Sequence, residues 1–157
     1  MTEKKRSWVQ KLADSRGLPG IGKINGKMSK RWGTGTAAIL APIEVGEMMM
    51  EVQTGKLVTM NEIRVVVAGK HNATIGCPMT TGIFAWIAAN AVEEQRQLGE
   101  KDITPYWLTL KTEGVTNPKY PGGIEGQKIH LEEEGHKAVQ KGRKYVVANC
   151  EESLTTL

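Results

Sequence analysis

The sequence predicts a mostly α-helical domain with a small β-hairpin, arranged as a winged helix-turn-helix. Two apolar segments with helical spacing lie on either side of a short loop, which is the order of a helix-turn-helix. A further helical segment follows a glycine-rich loop, and an alternating segment with a central glycine closes the pattern as a hairpin. The length of 157 residues suits one compact domain.

Residues 1–41 are predicted to form a basic N-terminal arm, residues 42–149 the domain, and residues 150–157 a C-terminal tail. Residues 1–32 contain nine Lys or Arg against two acidic residues, so they carry +7 in a chain whose net charge is +4. Such an arm suits a polyanion, because neutralised phosphates release bound counterions; a solvated tail would have the same composition. Within the arm we expect a short helix from Ser7 to Ser15 and loops elsewhere.

The predicted domain begins with a helix from about Ile43 to Val52, whose apolar residues recur every three or four positions. Residues 59–62, Thr-Met-Asn-Glu, have the form of a capping box and predict the start of a second helix. A loop over residues 69–79 leads to an apolar helix from about Thr80 to Leu98. These last two helices form the helix-turn-helix candidate.

The second half of the domain changes character after this helix. Residues 103–110 alternate and predict a strand or an extended segment, and residues 114–123 have the composition of a turn-rich loop. Residues 124–134 predict another helix, and residues 138–147 a hairpin with its turn at Lys141 and Gly142. A helix-turn-helix followed by a hairpin is the outline of a winged helix.

Composition also disfavours several classes of protein. No apolar run approaches the ~20 residues needed to span a bilayer, and the polar N-terminus does not resemble a secretory signal, so we expect a cytoplasmic protein without a membrane partner. Cys77 and Cys150 form no recognisable disulfide or metal framework, and the three histidines have no ligand spacing. We therefore expect neither a metal nor a cofactor.

Two segments match the pattern of a known family. Residues 55–63 read Gly-Lys-Leu-Val-Thr-Met-Asn-Glu-Ile; residues 120–125 read Tyr-Pro-Gly-Gly-Ile-Glu, and residues 131–136 read Leu-Glu-Glu-Glu-Gly-His. In order and spacing they resemble the helix-turn-helix, the Tyr-Ala/Ser-Gly-Gly-Leu loop and the last helix of the O6-alkylguanine-DNA alkyltransferase DNA-binding domain. The resemblance covers about residues 43–136, and the N-terminal domain of classical members has no visible counterpart.

The family's catalytic motif is altered in this chain. Active members carry Pro-Cys-His-Arg, whose cysteine takes the alkyl group from a flipped base, whereas residues 105–108 read Pro-Tyr-Trp-Leu. The resemblance places Tyr106 at the nucleophile and Trp107 at the histidine, and a phenol with a pKa near ~10 replaces a thiolate poorly. This resembles the alkyltransferase-like subgroup, which has an aromatic residue at that position and marks alkylated guanine for repair proteins. Glu134 matches the glutamate behind the histidine, and we expect it to have nothing to relay.

The resemblance implies a non-enzymatic protein that binds double-stranded DNA and recognises alkylated bases. An aromatic wall can hold a flipped base by stacking, worth ~1–3 kcal/mol per base. We expect the lesion pocket to be lined by Tyr106, Trp107, Tyr120, Pro121, Gly122 and Gly123. We expect DNA contacts from Met60, Asn61, Thr80, Thr81, Gly82, Ala85, Lys119 and Lys128. The family's phosphate-rotating tyrosine falls at Met60 and its arginine finger is absent near Thr80, which favours DNA binding over base flipping.

Three other interpretations stay open. Tyr106 and Trp107 could simply fill the core of a generic winged-helix protein that binds DNA or RNA without a lesion pocket. The chain could instead be a methylated-DNA-protein cysteine methyltransferase that uses a displaced cysteine. Cys77 precedes Pro78, which reverses the family's order and disfavours that role. The histidines and exposed lysines could be ordinary surface residues.

Overall fold

Helices form most of the fold, and short strands join them. The computed structural model describes residues 7–15, 17–18, 20–101 and 104–155. The elements are α1 (Trp8–Ala13), β1 (Gly20–Lys23), α2 (Ser29–Trp32), β2 (Thr36–Ile39), α3 (Pro42–Met50), β3 (Val58–Thr59), α4 (Met60–Lys70), β4 (Ile75–Gly76), α5 (Pro78–Gln97), β5 (Thr109–Leu110), α6 (Gly123–Glu133), β6 (Ala138–Lys141), β7 (Lys144–Val147) and α7 (Cys150–Ser153). Two 3-10 turns cover Tyr106–Leu108 and Thr112–Gly114.

The short N-terminal helix forms as the sequence predicts. The Ser7 hydroxyl accepts from the Gln10 amide at 3.1 Å, and the Gln10 side chain accepts from the Ser7 amide at 2.9 Å, which makes a capping box. The Trp8 ring packs edge-on against Trp86 of α5, with 4.8 Å between centroids. The Trp8 amide also donates to the Glu94 carboxylate of α5, and this bond lowers the pKa of Glu94. The helix is therefore attached to the domain.

The expectation of loops in the rest of the basic arm is wrong over residues 20–39. Strands β1 and β2 pair antiparallel, with Lys23 opposite Thr36, and β2 pairs parallel with β4. The Cys77 amide donates to the Ala38 carbonyl at 2.9 Å, so β2 is hydrogen-bonded to the residue that precedes α5. These strands consist largely of small residues and glycines, which give no strand pattern in the sequence, and β2 is stabilised by its tertiary pairing with β4. The division of the chain at residue 41 stays a prediction.

Helices α3, α4 and α5 enclose the main core. The predicted stripe of α3 is buried and comprises Val45, Met48, Met49 and the following Val52. Helix α4 begins where the Thr59 amide donates to the Glu62 carboxylate at 2.5 Å, and it buries Ile63 and Val67. Strand β4 passes α4 so closely that a Cβ on Gly76 would lie 2.6 Å from the Arg64 carbonyl oxygen, so only glycine fits there. Helices α4 and α5 are the predicted helix-turn-helix.

The segment after α5 differs from the predicted strand over residues 103–110. Residues 106–108 form a 3-10 turn, and only Thr109 and Leu110 are extended, as β5 alongside β3. Ile103 lies outside the described residues. Tyr106 and residues 108–110 are all buried, so the alternation in the sequence does not correspond to alternating burial.

The C-terminal part contains the predicted last helix and hairpin. Helix α6 ends before Gly135, whose φ is +89°, and β6 pairs with β7 so that Lys141 faces Lys144 across the turn. Residues 150–153 form α7, and the Leu57 amide donates to the Ser153 carbonyl at 2.8 Å. The boundary of a C-terminal tail at residue 150 stays a prediction. In the described part of the chain, no helix is both long and apolar enough to cross a membrane.

Candidate nucleic-acid interface

Tyr106, at the predicted nucleophile position, lies in a buried aromatic cluster. It is 2% exposed, and the rings of Trp107 and Tyr120 contact it edge-on with centroids 5.2 and 5.6 Å away. Burial raises the pKa of Tyr106 to about 12, and the Glu93 carboxylate, 3.5 Å from the phenol oxygen, acts in the same direction. The phenol is therefore neutral near pH 7 and is a poor nucleophile.

Trp107, at the predicted histidine position, is fixed by two neighbours. Its ring stacks on His130 with 4.2 Å between centroids, and its indole N–H donates a hydrogen bond to the Glu134 carboxylate. The other Glu134 oxygen accepts from the Gly55 amide at 3.0 Å. Glu134 therefore has a function that the sequence did not indicate, because it holds an indole where the family would place an imidazole.

Gln127 of α6 joins the 106–108 turn to the following loop. It is fully buried; its side-chain amide donates to the Trp107 carbonyl at 3.0 Å, and its oxygen accepts from the Asn117 amide at 2.7 Å. A glutamine is usually exposed, so nothing in the sequence marked this residue. Its two hydrogen bonds fix the position of both loops relative to α6.

The loop predicted to line the lesion pocket closes over the cluster. Tyr120 is buried. Its hydroxyl lies near the Asn117 side chain but has no well-formed hydrogen bond. Burial raises the pKa of Tyr120 well above its usual value. Gly122 and Gly123 have φ values of +82° and +65°, which glycine adopts without strain as the chain turns into α6. Pro121 is half-buried. None of these four predicted residues lines the cavities described next.

An apolar cavity of about 660 Å³ opens between the start of α5 and the loop around residues 111–119. Its lining consists of Met79, Gly82, Ile83, Trp86, Lys111, Asn117, Pro118 and Lys119. Met79 and Ile83 are 61% and 48% exposed, so the first turns of α5 present apolar side chains to solvent. A cavity with apolar walls and a few polar groups at its rim is the usual form of a binding site. We name it the α5 cavity.

Tyr106 does not line this cavity, and its place in a lesion pocket stays a prediction. It stands behind the wall instead: its ring contacts Tyr120, whose hydroxyl faces Asn117, and Asn117 lines the α5 cavity. Trp107 lines a different opening of about 740 Å³, which His130, Glu134 and Lys101 also border.

A smaller cavity of about 410 Å³ adjoins the α5 cavity and shares Gly82, Lys111 and Asn117 with it. It is also lined by Met60 and Arg64 of α4, and by Lys144 beside the turn of the β6–β7 hairpin. We name it the basic cavity. Sequence reasoning missed Arg64, Lys111 and Lys144, because isolated cations have no recognisable spacing.

The predicted DNA-contact residues differ in their exposure. Asn61 and Lys119 are exposed, and Met60 and Gly82 are half-buried at the cavities. Thr81 and Ala85 are 4% and 0% exposed, so their side chains are buried in the domain, and their part in DNA binding stays a prediction.

Two more of these predicted contacts lie outside the cavity linings. The Thr80 hydroxyl is buried without a partner. The Lys128 ammonium lies 5.7 Å from the centroid of the Tyr145 ring. Contacts from Thr80 and Lys128 to DNA stay predictions.

Neither cysteine has the surroundings of a nucleophile. Cys77 and Cys150 are buried, and burial raises the pKa of the Cys150 thiol. Neither lines the α5 cavity or the basic cavity. Among the residues that the structure describes, no group of three His, Cys, Asp or Glu side chains is placed to hold a metal ion.

Comparisons with known proteins give one structural match. No family model matches the chain, and no curated protein matches it significantly. The chain is similar to the alkyltransferase-like protein Atl1 of S. pombe, in a crystal structure with damaged DNA containing O6-carboxymethylguanine. The match has 20% identity and a TM-score of 0.50, and it covers 74% of this chain and 94% of Atl1. The chain therefore has the alkyltransferase-like winged-helix fold, which confirms the predicted fold class.

Proposed function

We propose that this chain is a non-enzymatic alkyltransferase-like protein that binds double-stranded DNA, recognises alkylated bases of the O6-alkylguanine type and marks them for repair proteins. The observation that carries the proposal is the buried, neutral Tyr106 at the nucleophile position of a fold shared with a protein crystallised on damaged DNA. Such a site retains the scaffold for reading DNA and lacks the thiolate that alkyl transfer needs.

The α5 cavity supports the recognition half of the proposal. It lies beside the exposed face of the second helix of the helix-turn-helix, where a base extruded from the duplex would arrive. Its apolar side chains, Met79, Ile83 and Trp86, provide contact area for a base that carries an added alkyl group. Lys119 at the same rim supplies a positive charge near the phosphates.

A paired titration tests the proposal. We would measure the dissociation constants of the chain for a duplex with one O6-methylguanine and for the matched guanine duplex at the same salt concentration. We expect the lesion duplex to bind at least about tenfold more tightly, a difference of ~1.4 kcal/mol. Equal affinities would contradict lesion recognition. Absence of binding to either duplex would contradict the whole proposal.

A generic winged-helix nucleic-acid binder is the second candidate. It is favoured by Tyr106, which lines none of the three cavities, and by Met60 at the position of the phosphate-rotating tyrosine. This candidate requires equal affinity for the two duplexes, so the same titration separates it from the first. A duplex RNA of the same sequence then distinguishes DNA from RNA preference.

A further inference from the structure

We propose that Arg64, Lys111 and Lys144 bind the backbone phosphate next to the nucleotide whose base occupies the α5 cavity. We call these three residues the cation cluster. This inference rests on the proposed function, because it assumes a nucleotide in the α5 cavity. It assigns the basic cavity to the phosphate of that same nucleotide.

The apolar and the basic cavity adjoin each other, as the base and the phosphate of one nucleotide do. Gly82, Lys111 and Asn117 line both, so the apolar and the basic cavities meet along one shared wall. A nucleotide likewise joins an apolar base to an anionic phosphate through a single sugar. A base in the first cavity therefore brings a neighbouring phosphate to the mouth of the second.

Backbone pairing fixes two of the cations relative to each other. Lys111 bridges Val115, and Val115 in turn bridges Val146 of β7. The Thr116 amide donates to the Tyr145 carbonyl at 2.9 Å, which adds a further bond between the same segments. Lys144 is the first residue of β7. The loop and the hairpin therefore present their lysines from one hydrogen-bonded unit.

The third cation is oriented by its own hydrogen bond. The Arg64 Nε donates to the Gly76 carbonyl at 3.1 Å, and Arg64 is half-buried. This bond holds the plane of the guanidinium and leaves its two terminal nitrogens free to donate. A guanidinium held in one plane suits bidentate binding of phosphate oxygens.

The electrostatics of the basic cavity favour an anion. Within the described part of the chain, none of the three cations forms an ion pair. Glu113 is the acidic residue of the lining, so three positive charges face one negative charge. Cations that were merely solvated at the surface would not need to converge on one cavity from α4, the 111–119 loop and the hairpin.

A double-mutant cycle tests this assignment by combining the loss of charge on the protein with the loss of charge on one DNA phosphate. We would replace the phosphate on the 5′ side of O6-methylguanine, and then the one on its 3′ side, by a neutral methylphosphonate. The duplexes would be titrated with the wild-type chain, with Lys111→Gln/Lys144→Gln, and with the matched control Lys56→Gln/Lys101→Gln. Arg64 is left intact, because its side chain also binds the Gly76 carbonyl.

We expect one of the two methylphosphonates to weaken wild-type and control binding about tenfold, the loss of a charged hydrogen-bond partner. The same change should weaken binding by Lys111→Gln/Lys144→Gln clearly less than tenfold, because Arg64 alone of the cation cluster is then left to contact that phosphate. Glu113→Gln should tighten binding to the O6-methylguanine duplex with native phosphates about two- to fivefold. It should leave the affinity for the methylphosphonate duplex unchanged.

The possible failures are distinguishable. Equal binding of lesion and normal duplexes by the wild-type chain overturns the proposed function and this inference with it. Preference for the lesion with equal methylphosphonate losses in the wild type and in Lys111→Gln/Lys144→Gln overturns this inference alone. If neither methylphosphonate weakens binding by the wild-type chain, this inference is also overturned, while the proposed function is not.

Discussion

The Trp107 indole donates a hydrogen bond to the Glu134 carboxylate, which also accepts from the amide of Gly55. One half-buried side chain thereby connects the altered motif, the end of α6 and the turn before β3. In the alkyltransferase pattern the same two positions carry a histidine and its supporting glutamate. In this chain the carboxylate fixes the position of an aromatic ring.

Removal of this carboxylate should destabilise the fold. Glu134→Ala leaves the Trp107 indole and the Gly55 amide without their acceptor, and we expect a loss of about 1–3 kcal/mol in the free energy of unfolding. Urea unfolding monitored by tryptophan fluorescence measures it. Glu133→Ala is the matched control, since Glu133 is exposed and its ion pair with His130 spans 3.7 Å; its effect should stay within about 0.5 kcal/mol. Similar losses in the two variants would contradict this reading of Glu134.

The pKa of Tyr106 predicts a loss of stability in alkali. Burial first, and then Glu93, raise it to about 12 in the folded protein, whereas an unfolded tyrosine titrates near ~10. Because the folded pKa is the higher one, the contribution of this neutral phenol is complete below pH ~10 and is lost as the pH rises towards 12. Tyr106→Phe should flatten this part of the stability profile. It should cost little at pH 7, because the hydrogen bond to Glu93 is long at 3.5 Å.

Tyr145→Phe is the control for this experiment. Tyr145 lies half-buried on the hairpin, outside the aromatic cluster. The unfolding midpoint in urea, measured between pH 8 and 12, should fall with pH in the control as in the wild type. Parallel profiles for wild type and Tyr106→Phe would show that Tyr106 does not titrate abnormally.

Local signals explain which elements the sequence predicted. The capping pair Thr59 and Glu62, and Gly135 after α6, mark helix ends that the structure contains. Strands β1 and β2 have no comparable signal, since β2 exists by pairing with β4 across 38 residues. Nonlocal pairing of small residues leaves no periodic pattern to recognise.

The site was predicted less well, and for a physical reason. Periodicity shows which residues of α5 share a face, but not whether that face meets the core or DNA. The usual rule places apolar side chains inside, yet Met79 and Ile83 are exposed while Thr81 is buried. Exposed apolar residues at a helix start are typical of a binding surface, where function overrides the pattern.

The burial of both thiols predicts that the chain accepts no alkyl group. After incubation with O6-methylguanine duplex, the intact mass should stay unchanged, because Cys77 and Cys150 line neither cavity and burial raises the pKa of Cys150. A Cys77→Ser/Cys150→Ser variant provides the baseline spectrum. A gain of one methyl group that disappears in this variant would establish alkyl transfer and contradict the proposed function.

The hairpin β1–β2 predicts a salt-dependent contribution to DNA binding. Its tip carries four exposed cations, Lys23, Lys27, Lys30 and Arg31, and residues 15–43 contain no acidic residue. If these cations neutralise phosphates, replacing all four by Gln should lower the slope of log K against log salt by up to about 3.6, near 0.9 for each contact.

Lys56→Gln/Lys101→Gln controls for the loss of charge. Lys101 follows α5, whose 20 residues span about 30 Å, so it lies far from the end that presents the α5 cavity. The control should leave the slope unchanged. A slope that the fourfold variant also leaves unchanged would remove the hairpin from the interface.

Gly82 allows the α5 cavity to be filled without damage to the fold. It lies inside α5 and lines the cavity, and a Cβ at this position would meet no atom within 4 Å. Gly82→Leu should therefore raise the unfolding free energy by up to about 1 kcal/mol, because leucine favours the helix over glycine. The same side chain occupies the cavity, so the preference for the O6-methylguanine duplex should fall towards one.

Gly69→Leu is the matched control, since Gly69 lies in α4 with equally open space and lines neither cavity. It should gain stability similarly and keep the wild-type preference for the lesion. Misfolding would lower both the stability and the preference for the lesion. A variant that gains stability and loses the preference is therefore explained by the filled cavity and not by misfolding. A Gly82→Leu chain that is stable and still discriminates between the duplexes would locate the lesion outside the α5 cavity.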